Sequence, residues 1–182
     1  MVNSYLFHTF MQTKQYSFQQ QDLLGKQGEQ ILDDWLSFKY QIIDVSHILQ
    51  YQTSGIDRLL IHPSGFTLSV EYKFDKAAAR TGNLFFETTS VDTTGILGWG
   101  WSSQADYWIF LVPDNDIYIV KPSDFRLLVW QKREQLKEKH IQNCGYRTIG
   151  FPVKIADVKN ISCRVTDKNV APPLLDRGRK SP

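Results

Sequence analysis

One segment constrains the fold of this chain more than any other. Residues 57–73 contain two strand-like stretches on either side of the tripeptide Pro63-Ser64-Gly65. Proline, a turn-forming residue and then glycine is typical of a three-residue hairpin loop whose last residue has a left-handed backbone. The segment is therefore predicted to be an antiparallel hairpin, with strands over residues 57–62 and 66–73.

The length of this loop decides which residues face each other. With three loop residues, His62 pairs with Phe66, and Asp57 lies directly opposite Glu71. Opposed residues point to the same face with Cβ atoms about 5 Å apart, and strand alternation puts Lys73 on that face as well. Three ionisable groups are therefore predicted to converge at one end of the hairpin.

The chemistry of these three groups suits phosphodiester hydrolysis. Two carboxylates this close repel each other, and one would protonate unless a cation lies between them. Lys73 supplies one positive charge, and Mg²⁺, which prefers hard oxygen ligands, is a better bridge. A metal ion activates water, and an ammonium beside it stabilises charge developing on a phosphate. The alternative is a surface cluster in which Lys73 pairs with Asp57 or Glu71 and solvent surrounds the rest.

Hydrophobic periodicity elsewhere predicts a mixed α/β domain. Apolar residues at helical spacing predict a long helix over residues 17–40, with Gly28 near the middle of the apolar stripe. A glycine there costs about 1 kcal/mol relative to alanine, and close approach to a sheet is one compensation. The other predicted elements are a strand over 41–45, a strand over 84–90, a strand pair around 113–115 and a helix over 123–140 with Ser123 as its N-cap.

Three stretches between these elements are predicted to be irregular. They are a loop over residues 50–54, a polar turn region over 74–83 and a glycine-rich loop over 92–104. The last of these contains Trp99 and Trp101. Their rings either contact DNA or close over the core, and packing over the core is the simpler interpretation.

Composition sets wide limits. The 182 residues, of which 42% are hydrophobic, fit one domain. We expect it over residues 1–170, with residues 1–16 as a loosely held arm and 171–182 as a flexible tail. A basic leader and a long apolar run are both absent, and the two cysteines lie in no ligand spacing, so we expect a soluble, reduced, cytoplasmic protein with no membrane partner. The net charge of +2 neither requires nor excludes a nucleic-acid partner.

At the predicted hairpin, the sequence resembles the PD-(D/E)XK nuclease superfamily. The matching letters are GIDRLL at 55–60, EYK at 71–73 and GKQGEQILDDWL at 25–36. The letters TGNLFFETTS and SSQADYWIFLVP are similar to segments of its phage-type and intron-encoded (homing) branches. The resemblance implies a restriction-endonuclease-like α/β core with an N-terminal helix, an antiparallel meander, a mixed central sheet and flanking helices. Ile56 departs from the pattern, because the family name has proline at that position.

The resemblance also implies roles for individual residues. Asp57 and Glu71 would bind Mg²⁺, for which Mn²⁺ could substitute, and the Tyr72 carbonyl would be a third ligand. Lys73 would position the attacking water. Glu29, on the first helix, would lie in the outer shell of the metal or bind a second ion.

The activity implied is hydrolysis of double-stranded DNA by in-line attack of water, leaving 5′-phosphate ends. We expect a site-specific endodeoxyribonuclease of the homing or restriction type. A Holliday-junction resolvase or another structure-specific nuclease is one alternative, and a catalytically inactive DNA-binding module on the same fold is another. Because two strands must be cut, a homodimer or higher homo-oligomer is expected.

Several polar residues outside the hairpin are candidate contacts to DNA or to the site. The candidate DNA contacts are Lys76, Arg80 and Asn83 after the hairpin, and Lys132 and Arg133 in the second helix. For these residues the alternative is ordinary solvated surface. Glu87, on the strand that follows, either faces the site or is a charge at a strand edge.

Overall fold

A computed structural model of the protein describes residues 18–113, 116–166 and 169–176; the predicted arm over 1–16 lies outside them. The helices are α1 (Phe18–Leu36), α2 (Leu49–Thr53), α3 (Lys76–Thr81), α4 (Trp99–Ser102), α5 (Pro122–Lys132) and α6 (Ile155–Val158). The strands are β1 (Gln41–Asp44), β2 (Arg58–Ile61), β3 (Thr67–Phe74), β4 (Asn83–Val91), β5 (Ile96–Leu97), β6 (Tyr107–Val112), β7 (Asp116–Val120), β8 (Lys139–Gln142), β9 (Arg147–Lys154) and β10 (Ser162–Val165). No helix in this described part of the chain has both the length and the apolar character that crossing a bilayer requires.

The strands form two sheets. The first has the order β1-β2-β3-β6-β7-β10, in which β3 and β6 are parallel and the other neighbours are antiparallel. The second is an antiparallel sheet with the order β5-β4-β9-β8. A helix, an antiparallel meander and a crossover to a parallel strand follow each other in the order that the sequence resemblance implied. The predicted α/β fold class is therefore confirmed.

The first sheet has a core on each face. One face packs on α1, and the buried side chains there include Leu32, Trp35 and Leu36 of the helix and Leu60, Leu68, Val70, Ile109 and Leu111 of the sheet. The opposite face packs on α5 and the second sheet, through Phe86, Trp108, Phe110, Phe125 and Val129 among others. Because both faces are covered, polar side chains of β2 and β3 such as Arg58 and Glu71 are buried at one end of the hairpin.

The hairpin has the predicted loop and register. The amide of His62 donates to the carbonyl of Phe66 at 2.9 Å, and Gly65 has a φ of +94°. Arg58 lies opposite Val70, as the three-residue loop predicts. β2 is one residue shorter than predicted at each end, and β3 begins and ends one residue later than predicted.

Gly28 has the predicted packing role. A Cβ atom at this position would lie 2.8 Å from Cγ of Phe74 on β3, which is closer than carbon atoms approach without displacement. The glycine therefore lets α1 lie directly on the sheet. The helix ends at Leu36, four residues before the predicted limit.

The three stretches predicted to be irregular contain regular structure. Residues 49–53 form α2, residues 76–81 form α3, and the glycine-rich stretch holds β5 and α4. For α3 the cause is local: the side chain of Asp75 accepts from the amide of Ala78 at 3.1 Å, and Gly82 ends the helix with a φ of +67°. These predictions were wrong because such short helices bury too few residues to show an apolar period.

The second long helix was predicted with the wrong limits. It begins at Pro122 rather than after a Ser123 cap, and the N-cap position is Lys121, which makes no side-chain cap hydrogen bond. It ends at Lys132, and residues 139–142 form β8. Beyond Val129 no apolar residue continues the buried stripe at helical spacing until Leu136, so packing no longer supports a helix there.

The chain beyond residue 168, predicted to be flexible from residue 171, packs on the sheet as far as residue 176. The side chain of Trp35 donates to the carbonyl of Val170 at 2.9 Å. The amide of Leu175 donates to the hydroxyl of Tyr40 at 2.9 Å, and the Leu175 side chain is buried. The hydroxyl of Tyr107 donates to the carbonyl of Asp176. Residues 177–182 of the predicted tail lie outside the described residues.

Candidate active site

Asp57 lies where β2 separates from β3. The paired residues end at Arg58 and Val70, and the amide of Asp57 donates to the carbonyl of Val70 at 2.9 Å. Asp57 thus does not form the regular ladder pair with Glu71 that the sequence predicted. Instead its Oδ2 accepts a hydrogen bond from the amide of Tyr72 at 2.7 Å. The carboxylate takes the place of a strand carbonyl and is fixed in direction.

The Tyr72 carbonyl points to the same side of the strand as this amide. In a strand, the N–H and C=O of one residue face the same neighbouring strand. Since β2 has separated at this point, the Tyr72 carbonyl faces the space into which the Asp57 carboxylate projects. The Asp57 carboxylate and the Tyr72 carbonyl therefore lie on the same side of β3.

Glu71 is the most unusual acidic residue of the site. It is only 4% exposed, and Oε1 is bonded to the ammonium of Lys73. Oε2 is buried close to Ser103, but no donor in the described part of the chain meets it with hydrogen-bond geometry. Burial raises the pKa of Glu71, and the charge of Lys73 and the nearby Ser103 hydroxyl offset only part of that rise. A carboxylate oxygen without a partner in this position is costly unless something else binds it.

Lys73 is held from several sides. Its ammonium contacts Glu71 and lies 4.7 Å from the centre of the Trp99 ring. Glu87 of β4 lies on the same side, since its Oε1 accepts from the amide of Trp99 at 3.4 Å. Burial raises the pKa of Glu87, and the charge of Lys73 acts against that rise. Of the two interpretations of Glu87, the structure supports the one in which it faces the site. We refer to Asp57, Glu71, Lys73 and Glu87 as the Glu71 cluster.

Glu29 lies near this cluster but is bound elsewhere. Its Oε2 accepts from Nη2 of Arg58 at 2.8 Å. Burial raises the pKa of Glu29, and Arg58 offsets part of the rise. The structure therefore pairs the Glu29 carboxylate with a guanidinium and does not bring it to Glu71.

Arg58 is the centre of a second polar cluster that the sequence analysis missed. It is 4% exposed and binds Asp33 through Nε at 3.0 Å and Asp44 through Nη1 at 3.0 Å, in addition to Glu29. The same Nη1 donates to the carbonyl of Asp57 at 3.1 Å. We refer to Arg58, Glu29, Asp33 and Asp44 as the Arg58 cluster.

The two clusters lie on opposite faces of the hairpin. Arg58 shares its face with Leu60 and α1, whereas Glu71 and Lys73 share theirs with Trp108 and Phe110. The signal for the Arg58 cluster was present in the sequence. The alternation that places Asp57 on one face must place Arg58 on the other, where a buried cation needs acidic partners.

Comparisons with known proteins give one match to report. A search of family models and a search of curated proteins both found no match. Among solved structures, the bacterial homing endonuclease I-Ssp6803I matches this chain. The match has 16% sequence identity and a TM-score of 0.44, and it covers 58% of this chain and 72% of that chain.

The residues of the Glu71 cluster fit a divalent cation in part. No group of three or more His, Cys, Asp or Glu side chains in the described ranges is arranged to hold a metal. Three oxygen donors are available at this end of the hairpin: Glu71 supplies Oε2, Asp57 has a second oxygen beyond the one bound to Tyr72, and the Tyr72 carbonyl lies on the Asp57 side of β3. This all-oxygen donor set is the kind that Mg²⁺ prefers.

The candidate DNA contacts differ in how they are held. Lys76 and Arg80 are exposed on α3, directly after β3, whereas the side-chain amide of Asn83 donates from Nδ2 to the carbonyl of Thr81 at 2.7 Å. Lys132 is paired with Asp157 at 2.7 Å. Arg133 lies over the ring of Trp130 and donates to the carbonyl of that residue at 2.9 Å.

Proposed function

We propose that this protein is a Mg²⁺-dependent, site-specific endodeoxyribonuclease of the homing or restriction type that hydrolyses double-stranded DNA. The observation that carries the proposal is the buried Glu71 carboxylate, whose Oε2 has no partner in the described residues while Asp57 and Lys73 lie beside it. A buried carboxylate oxygen left unpaired destabilises the fold, so its retention is best explained by a ligand that binds it.

Each residue of the cluster has a role in this proposal. Asp57 and Glu71 hold the ion together with the Tyr72 carbonyl. When bound, Mg²⁺, or Mn²⁺ in its place, activates water and neutralises charge on the phosphate. Lys73 orients the attacking water and stabilises the charge that develops on the scissile phosphate.

Glu29 acts in the outer shell through Arg58. The guanidinium bridges the Glu29 carboxylate and the main-chain carbonyl of Asp57, with distances of 2.8 Å and 3.1 Å. This contact fixes the backbone from which the Asp57 carboxylate projects. Glu29 thus supports the position of a metal-binding residue from the other face of the sheet.

The basic residues near the site supply contacts to the DNA backbone. Lys76 and Arg80 are well placed for this, because they are exposed on the helix that follows Lys73. We also propose contacts from Asn83, Lys132 and Arg133. For Lys132 and Arg133, binding DNA requires exchange of their present partners, so we expect these two to contribute less.

Salt-dependent DNA binding tests these contacts. Lys76→Ala and Arg80→Ala should each lower affinity equally for all sequences and reduce the slope of log affinity against log salt by about one. Lys132→Ala is the comparison, with a smaller expected change in slope. A slope unchanged by Lys76→Ala and Arg80→Ala together would remove α3 from the DNA interface.

Cleavage of DNA tests the function itself. Supercoiled plasmid and a library of random duplexes are incubated with wild-type protein and Mg²⁺ or Mn²⁺, beside Asp57→Asn and Lys73→Met. Asp34→Asn, the same change at an exposed carboxylate of α1, is the matched control. We expect the wild type and the control to cut and to leave 5′-phosphate ends at a defined sequence.

Two results would change the proposal. Cleavage of branched DNA alone would favour the junction-resolving alternative. Tight DNA binding by wild type with no cleavage of any duplex or branched substrate would make the protein an inactive DNA-binding module. We further propose that the chain forms one domain that includes the packed residues 169–176, and that it cuts two strands as a homodimer or higher homo-oligomer. Sedimentation of the protein–DNA complex can test the oligomeric state.

A further inference from the structure

The Gly-Trp-Gly-Trp segment, residues 98–101, is built closely against the Glu71 cluster. A Cβ atom on Gly98 or on Gly100 would lie 2.5 Å from the carbonyl oxygen of Glu87. At that distance only a residue without a side chain fits. The two glycines therefore let α4 lie directly on the part of β4 that carries Glu87.

Trp99 is held in one orientation by its neighbours. Its ring meets Trp108 edge-on, with centres 4.8 Å apart, and lies 5.8 Å from Phe86 and 5.9 Å from Phe110. The Lys73 ammonium lies 4.7 Å from the centre of the same ring. A tryptophan fixed by three aromatic neighbours thus presents its ring to a flexible cationic side chain.

Arg126 of α5 fixes the segment from its other end. Its Nε donates to the carbonyl of Gly100 at 2.7 Å, and Nη2 donates to that of Ser103 at 2.6 Å. Ser103 is buried beside the Glu71 carboxylate, since both lie close to Gly55. The backbone that carries Trp99 is therefore fixed to a long helix as well as to β4.

We propose that Trp99 is a positioning residue that holds the Lys73 ammonium at the reacting phosphate. This inference rests on the proposed nuclease function. In the proposed function Oε1 of Glu71 contacts Lys73 while Oε2 binds the ion, and a bound ion draws on the negative charge that attracts Lys73. The ring of Trp99 attracts the ammonium without neutralising it, so Lys73 stays directed at the phosphate once the ion is bound.

Variants of Trp99 test the role in catalysis. Trp99→Leu should lower kcat roughly tenfold or more, because displacing a catalytic group by about 1 Å can cost up to 10²-fold. KM and the Kd for DNA should change less than about threefold, and Trp99→Phe should be intermediate because a smaller ring attracts a cation more weakly. Trp101→Leu, at a partly exposed tryptophan of the same segment, is the matched control and should cleave like the wild type. Wild-type kcat in Trp99→Leu would overturn the proposal.

A ring-fluorinated tryptophan placed at position 99 alone keeps the test valid if Trp99→Leu does not fold. Fluorine keeps the shape of the ring but weakens its attraction for a cation. We expect kcat to fall with an unchanged melting temperature. An unchanged kcat would show that the ring acts only by its shape and would overturn the proposal.

A double-mutant cycle of Lys73→Met and Trp99→Phe separates this inference from the nuclease function, because it is read from the equilibrium constant for unfolding. The double variant should differ from the product of the single effects by roughly two- to fivefold. Additive effects would remove the Lys73–Trp99 contact whatever the activity is. Suppose instead that the wild type cleaves no DNA while the cycle shows coupling. The proposed nuclease function would then be wrong, and the Lys73–Trp99 contact would be real but would have no role in catalysis.

Discussion

Two polar clusters lie back to back on one hairpin, and they differ in how completely their charges are bonded. In the Arg58 cluster a single guanidinium binds three carboxylates at 2.8–3.0 Å and a main-chain carbonyl at 3.1 Å. In the Glu71 cluster one lysine is bonded to the buried Glu71 carboxylate and also acts against the raised pKa of the half-buried Glu87, and no donor in the described residues bonds Oε2 of Glu71. The two clusters meet at consecutive residues, because Asp57 belongs to the Glu71 cluster and Arg58 is the centre of the other.

This difference indicates that the Arg58 cluster stabilises the fold, whereas the Glu71 cluster is able to bind a ligand. A buried polar group that is fully bonded rigidifies the fold and offers nothing to a ligand. A buried carboxylate oxygen without a partner lowers stability, and a protein that keeps one needs another reason for it. We therefore expect changes in the Arg58 cluster to act on stability and changes in the Glu71 cluster to act on activity.

The largest effect should come from Glu71→Gln. An amide cannot replace the charge that holds a divalent ion, so single-turnover DNA cleavage should fall by at least about 10³-fold. The same change removes the cost of burying a carboxylate, so the protein should stay folded. Cleavage rates and thermal unfolding measured on one preparation test both parts, and a Glu71→Gln protein that cuts within tenfold of wild type would contradict the expectation.

The second effect is on stability and comes from Arg58→Met. Removing the guanidinium leaves three acidic side chains uncompensated, at a cost of about 3 kcal/mol, the low end for a buried ion pair because the carboxylates are partly exposed. For a chain of this size that cost lowers the melting temperature by about 6–12 °C. Arg58→Lys, which keeps the charge but loses the planar fork, should lose less. Equal unfolding free energies of Arg58→Met and wild type would mean that the cluster is not structural.

A third change, Glu29→Gln, sharpens the boundary between the clusters. If Glu29 acts only through Arg58, the amide should cost about 1 kcal/mol of unfolding free energy, with less than a fivefold loss of cleavage and an unchanged Mg²⁺ requirement. Cleavage titrated against Mg²⁺ measures this. A loss of more than a hundredfold together with a raised Mg²⁺ requirement would place Glu29 in the Glu71 cluster as a direct ligand.

The smallest effect concerns the pH dependence of stability in metal-free protein. Burial raises the pKa of Glu71 above its ordinary value of 4.5, so the folded state binds this proton more tightly than the unfolded state. The stabilisation is full below pH 4.5 and is lost as the pH rises through the raised pKa. Unfolding free energies in chelator should therefore decline less with rising pH in Glu71→Gln than in wild type. Glu134→Gln, at a site 86% exposed, is the control and should match wild type. Identical profiles for all three proteins would mean that Glu71 is not desolvated.

The hairpin could be predicted because its information is local. Three loop residues decide which residues of β2 lie opposite those of β3, and strand alternation puts Glu71 and Lys73 on one face. The close packing of Gly28 could be anticipated for the same reason, since a glycine within an apolar helical stripe needs a compensation. The separation of Asp57 from the ladder could not, because it depends on a bond between its own carboxylate and the Tyr72 amide.

Features that depend on distant partners were beyond the sequence. Nothing near Lys139 indicates that it pairs in a sheet with Gly150, and the mixed charges before it are equally typical of a helix. The packing of Leu175 depends on Tyr40, 135 residues earlier in the chain. By contrast, α3 is predictable from its two ends, because Asp75 is a typical N-cap residue and Gly82 a typical C-terminal one, even though the helix shows no apolar period.

In the loop formed by Pro63, Ser64 and Gly65, the number of residues matters more than their identity, although the loop lies at the other end of the hairpin from the Glu71 cluster. A substitution in the loop changes the turn locally. An insertion of one residue would move β3 by one position against β2 and turn Glu71 and Lys73 towards α1, while Arg58 and Asp57 stayed where they are. A redesigned protein can therefore vary the first two loop residues, provided that the loop keeps three residues and a glycine at the third position.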